Sequence, residues 1–192
     1  MGKATEGKVF YFHEKGPGNT DKTLEIALKC CKERGIGKIV VASSTGETAL
    51  KLHEKAGDSV EIIAVTFGAG SRFTSAVEEF NKNHDKLVQK GIRIVRGLLA
   101  LSGVERSFEN KYKTGFIPLN IVADTLRMFS HGVKVSVEIA VMAAEHGFIT
   151  PDEEVVTIGG SSSGADTALV LKPGFAADMF STKIKAILCM PA

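Results

Sequence analysis

The hexapeptide Ser43-Ser44-Thr45-Gly46-Glu47-Thr48 has the residue types that bind phosphate. It closes a β-branched run that starts at Lys38-Ile39-Val40-Val41 and leads into the apolar-periodic stretch Thr48-Ala49-Leu50-Lys51-Leu52-His53. That order predicts a strand, a glycine-bearing turn and a helix. Glycine lets the backbone approach an anion closely, the first helical turn presents unpaired N–H groups, and hydroxyls add donors. The same residues support a second reading. Ser44, with Glu47 three positions on, has the spacing of a capping box, in which the pair satisfies the helix end internally. The two readings are compatible, because some first-turn N–H groups stay free in a capped helix.

Three more loops combine glycine with polar side chains: His13–Thr20, Gly68–Arg72 and Gly159–Asp166. Asn19, Thr20, Gly68 and Arg72, with Thr66 at the adjacent strand end, are candidates to meet the rest of a phosphorylated ligand. Gly159, Gly160, Ser161, Ser162, Ser163 and Gly164, followed by Asp166 and Thr167, would close its other side, or else form a plain surface loop between strands. Arg72 is the nearest cation among the loops, and Tyr11, Phe12 and Phe67 are the nearest aromatic rings. Catalytic signatures are weak. GxGxxG, GxxxxGK[ST] and HExxH are all missing. His53, His84 and His146 fall in expected helices and read as solvent-facing. His13, beside Glu14 and Lys15, and Asp166 are the candidates for a small enzyme's acid–base group, and no catalytic residue is assigned.

The elements that must position these loops alternate regularly. Thr20 to Arg34 predicts a helix with an apolar stripe of Leu24, Ala27, Leu28 and Cys31, stopped by Gly35. Strands are expected at 38–43, 61–67 and 91–95, with helices between them. The second of these helices opens at a further capping-box pair, Ser75 and Glu78, and runs to about Lys90. Ile117, Ile121, Val122, Thr125, Leu126 and Phe129 fit a helical stripe. Val133, Val137, Ala140, Val141 and Ala144 fit another, turned from the first at Ser130-His131-Gly132, although VKVSVE alone alternates like a strand. Strand-like runs return at 154–158, 167–171 and 184–189. The pattern predicts one α/β domain over residues 1–192: an open three-layer sandwich, a mostly parallel sheet with flanking helices, and a helical elaboration at about 97–150. In such a sheet ligands bind at the carboxyl ends of the strands.

Composition narrows the class. The chain has 192 residues, 44% hydrophobic and 24% charged, with a net charge of +2. That is globular usage with room for one ordinary domain. No Lys/Arg run reaches the density of a nucleic-acid patch, and no apolar run is long enough for a membrane span. The three cysteines, two of them adjacent, are a poor disulfide framework and lack metal-ligand spacing. With no apolar leader at the N-terminus, a cytoplasmic protein is the expectation. Self-association as a homo-oligomer is left open.

IVVASSTGETALKL, VEIIAVTF and VVTIGGSSSGADTALVLKP together resemble the C-terminal α/β domain of pyruvate kinase over residues 19–96 and 154–190. In that family a Ser/Thr-rich loop after a strand, with a later glycine-rich loop, holds a regulatory sugar bisphosphate. The resemblance implies the first loop at Ser43, Ser44, Thr45, Gly46 and Thr48, with Ala49 at the small position. It implies the second at Gly159 to Gly164, leading into Thr167. The catalytic barrel, its metal ligands and its phosphoenolpyruvate site have no counterpart here, so no pyruvate kinase activity is expected. The later loop has serines where the family often uses arginine or tryptophan, which implies a different phosphorylated ligand.

The chain is more similar still to a stand-alone prokaryotic family of pyruvate kinase α/β-domain-like proteins, whose group signature the HEKGPGNT segment resembles. Its members look like flavin mononucleotide (FMN) binders, with phosphate at the Ser/Thr loop. The resemblance therefore implies an FMN site on the loop residues named above, Glu47 included. Three alternatives remain: a regulatory or sensor module for a sugar phosphate or nucleotide, a small enzyme acting on a phosphorylated substrate, and an interaction protein with no pocket.

Overall fold

The computed structural model describes residues 6–113 and 115–192. Residues 1–5 and 114 of the expected domain lie outside the described residues. Among the described residues, seven strands form one sheet in the order β1-β7-β6-β5-β2-β3-β4. They are β1 (Phe10–Phe12), β2 (Lys38–Ala42), β3 (Glu61–Phe67), β4 (Arg93–Gly97), β5 (Val155–Gly159), β6 (Thr167–Lys172) and β7 (Lys183–Pro191). β6 runs antiparallel to both its neighbours, and every other pairing is parallel. The carboxyl ends of six strands therefore lie along one edge, as the expected mostly parallel sheet requires.

Burial on both faces explains the apolar strands, which do not alternate with polar residues. Ile39 and Val41 of β2 join one core with α1 (Thr20–Arg34), α2 (Glu47–Ala56) and α3 (Thr74–Gln89). Val40, between them, joins the opposite core with α6 (His131–Glu145). This is the three-layer α/β sandwich. Gly35 ends α1 in the left-handed conformation, φ 67°, where its lack of a Cβ avoids strain. All three cysteines are free and buried, and burial pushes the Cys31 thiol up to about 12 and Cys189 up to about 11.

α6 resolves the VKVSVE ambiguity in favour of helix. Ser130 caps it, its hydroxyl accepting from Val133 N at 3.1 Å, and nearly all its residues are buried. The helix sits hard against the sheet. A Cβ on Gly159 would strike the Gly132 carbonyl oxygen, and one on Gly132 would overlap Thr167. Glycine on both sides permits this approach.

Several expectations are corrected. β1 went unread because three residues are too short for a periodic signal. α4 (Glu105–Tyr112) was missed because none of its residues is buried, so no apolar stripe marks it. α5 (Pro118–Arg127) is a helix as expected, but only part of its stripe faces inward: Ile117 is buried and Val122 and Leu126 half-buried, while Ile121, Thr125 and Phe129 are exposed. α3 begins at Thr74 behind an uncapped Phe73, so Ser75 lies inside the helix and is no cap.

Candidate functional site

A cleft of about 700 Å3 opens at the carboxyl edge, where strand order reverses between β2 and β5. The chain leaves β2 through α2 on one face and returns to β5 through α6 on the other, which parts the loops and leaves a crevice. The cleft brings together Thr20, Ser43, Ser44, Thr45, Glu47, Thr48, Thr66, Arg72, Gly160, Ser162, Ser163 and Gly164 of the sequence-predicted set.

The Ser43–Thr48 loop is held from both sides. Asn83 of α3 donates from Nδ2 to the Thr45 carbonyl at 2.9 Å, and the Thr66 hydroxyl donates to the Ser44 carbonyl at 3.2 Å. The cap on α2 differs from the expected Ser44–Glu47 box. Gly46 is the N-cap in the left-handed region, φ 89°, and carries no side chain to do the work. Instead, the Ser43 hydroxyl accepts from Ala49 N at 3.1 Å. Ser44 is thereby released from capping. Thr48 N is a first-turn donor with no protein acceptor among the described residues. A free N–H beside four hydroxyl side chains suits an oxyanion.

Asn19, Gly46, Gly68, Gly159, Ser161, Asp166 and Thr167 do not line the cleft, and neither does His13. Several of them have structural partners instead. Asn19 donates from Nδ2 to the Glu14 carbonyl at 2.6 Å. Gly68 lets β3 end against the Gly97 carbonyl. Asp166 is fully buried, and its carboxylate accepts from Gly16 N at 2.9 Å, Ser161 N at 3.1 Å and the Thr167 hydroxyl at 2.9 Å. Sequence reading saw a polar loop residue there. The structure makes it the brace between two loops.

Other lining residues were missed. Phe73 stacks on Phe67 with ring centroids 5.0 Å apart, and the Arg72 guanidinium lies over Phe73 at 5.0 Å. Lys51 of α2 lines the cleft too and ion-pairs with Asp21 at 2.9 Å. Across from them stand Ser102, Arg106, Arg127, His131, Lys134 and Glu138. Lys134 Nζ and Glu138 Oε2 are 2.5 Å apart and almost wholly buried, while Glu138 Oε1 accepts from Leu101 N at 2.8 Å. Burial lowers the Lys134 ammonium from its ordinary range, against the pull of Glu138. One signal could have found this pair: a lysine and a glutamate four apart inside the otherwise apolar VKVSVEIAV. The lining carries five Lys/Arg side chains against the two carboxylates of Glu47 and Glu138, so the cleft favours anions.

A profile of the family described as "Pyruvate kinase, alpha/beta domain" matches residues 21–171. The chain belongs to that family. The limits of this pyruvate kinase alpha/beta domain match run from α1 into β6 and enclose the segment 97–150, which looked like an elaboration outside the resemblance. β7 lies beyond the match, although the resemblance read from the residues extended to 190. Both loops that carried the resemblance fall inside it. Among the described residues no helix is long and apolar enough to cross a membrane, and no group of three His, Cys, Asp or Glu side chains could hold a metal ion.

Proposed function

We propose that the chain binds a phosphorylated small molecule in this cleft, with FMN the leading ligand. One observation carries the reading: the Ser43–Thr48 loop, the start of α2 and the Ser162–Gly164 loop line a single crevice of ligand size. Ser44, Thr45, Thr48 and Thr20, with Thr48 N, would hold the phosphate. Ser162 and Ser163 would close over it. The fit to a flavin rests on the wall beyond, where Phe67, Phe73, Val65 and Leu99 offer an apolar face to a ring. When bound, a flavin ring supplies one- or two-electron transfer, and the protein sets its position and surroundings.

Titration with FMN and with riboflavin tests this directly. FMN should bind and riboflavin should bind at least about tenfold more weakly, a difference of ~1.4 kcal/mol for the phosphate. Equal affinity for the two would remove the phosphate from the account, and no binding of either would remove the flavin. A sugar phosphate or mononucleotide binding in place of FMN would favour the sensor reading instead. Cytoplasmic location and self-association belong to the same proposal, and the mass of the native complex reports the second.

A further inference from the structure

The start of α6 reverses the usual electrostatics of a helix. The positive N-terminal end of a helix dipole favours acidic side chains in the first turn. α6 has none there, and carries His131 and Lys134 instead. Arg127, at the end of α5, repels both, and Arg106 of α4 adds to the repulsion on Lys134. Burial, then Arg127 and Lys134, holds the His131 imidazole below its ordinary range. All four basic groups line the cleft, from three different helices.

Most countercharges nearby are already engaged; the exception is Glu105, beside Arg106, whose buried Oε1 has no hydrogen-bond partner among the described residues. Glu138 is paired with Lys134, and Asp124 meets Arg127 at 2.6 Å on the exposed side. Asp166, which attracts His131 from the β5–β6 loop, has three donors of its own. Arg106 has no carboxylate within ion-pair distance among the described residues. Ser102 also lines this end, and its buried hydroxyl has no hydrogen-bond partner among the described residues. Basic side chains are thus gathered at one wall of a cavity, Arg106 among them without an ion-pair partner, with an idle hydroxyl beside it.

We propose that this wall is a second oxyanion subsite. It takes a carboxylate or phosphate group separate from the phosphate held at the Ser43–Thr48 loop. Arg106 and Arg127 would grip the oxyanion, since guanidinium donors match its geometry. The Ser102 hydroxyl would donate to it, and His131 would gain a proton as the anion binds. Lys134 stays paired with Glu138 and contributes its field. The cleft then serves either one doubly anionic ligand or a phosphorylated ligand beside an anionic one. The inference does not depend on the first ligand being a flavin.

The test uses the full chain and follows the titration of the His131 ring by nuclear magnetic resonance, with malonate, inorganic phosphate, or chloride at matched ionic strength. Malonate or phosphate should raise the His131 pKa by about one unit, as a nearby opposite charge does, and chloride should not. Because Arg106 and Arg127 are exposed, the Arg106→Gln/Arg127→Gln double variant should keep its fold and lose at least about tenfold in malonate affinity. Thr45→Ala/Thr48→Ala should leave the malonate-induced shift of His131 unchanged. A larger response to phosphate than to malonate in that threonine variant would make the group a phosphate, and the reverse a carboxylate. The subsite is overturned if neither anion moves His131, or if the double arginine variant binds both as tightly as the parent. If FMN fails to bind while malonate still shifts His131, the subsite stands and the flavin reading falls alone.

Discussion

The carboxylate of Asp166 accepts a hydrogen bond from the backbone N–H of Gly16, 150 positions away, at 2.9 Å. That bond ties the loop before α1 to the loop between β5 and β6, and so fixes two walls of the cleft relative to each other. The same carboxylate also holds Ser161 N and the Thr167 hydroxyl. Asp166→Ala removes both carboxylate oxygens, including the Oδ2 that accepts from Gly16 N and Ser161 N. Burying N–H groups without acceptors should destabilise the protein by about 2–4 kcal/mol. Urea unfolding is the measurement, with a lower midpoint and an unchanged slope expected. An unchanged midpoint would mean that Asp166 braces nothing.

Capping and ligand binding separate at adjacent serines. Ser43→Ala removes the acceptor for Ala49 N and should cost about 1 kcal/mol, as loss of a helix cap usually does. Ser44→Ala should stay within about 0.5 kcal/mol of the parent, as surface substitutions do. Thermal unfolding of both variants without ligand checks the ordering. The opposite ordering would restore the capping-box reading of Ser44 and Glu47.

Two glycines set how closely α6 lies on the sheet. Gly132→Ala drives a methyl group into Thr167, and overpacking of this kind costs about 1–3 kcal/mol. Gly70→Ala meets nothing within 4 Å and should change stability by less than about 0.5 kcal/mol. Comparing their denaturation midpoints tests the helix–sheet contact directly.

Stability should depend on pH through His131. Its folded pKa lies below the ordinary value of 6.5, so the unfolded chain takes up the proton more readily. The contribution is complete above 6.5 and is lost as pH falls from there through the folded value. Burial drives the shift, Arg127 and Lys134 add to it, and Glu138 and Asp166 oppose it. In His131→Gln, stability should fall less steeply below pH 6.5 than in the parent. Identical slopes would rule His131 out as the titrating group.

The sheet and its helices were legible because burial wrote itself into the pattern. Ile39-Val40-Val41 is apolar without alternation, and the strand is covered on both faces. The Ser/Thr loop was legible because glycine and hydroxyls follow that strand at once. The basic wall was not. Arg106 and Arg127 sit on helices with little buried surface, and only the tertiary path from β4 to β5 carries them to the cleft. Asp166 was misjudged for a related reason: its partner Gly16 is distant in sequence, and nothing local marks a backbone N–H that needs an acceptor.

Native mass spectrometry of gently purified protein, with FMN added at increasing ratios, tests the proposed binding most directly. The parent chain should carry one FMN per protomer, and Thr45→Ala/Thr48→Ala should lose at least about tenfold in affinity, ~1.4 kcal/mol, while keeping its fold. A chain that takes up neither FMN nor any other phosphorylated ligand, or a threonine variant that binds FMN as the parent does, would contradict it.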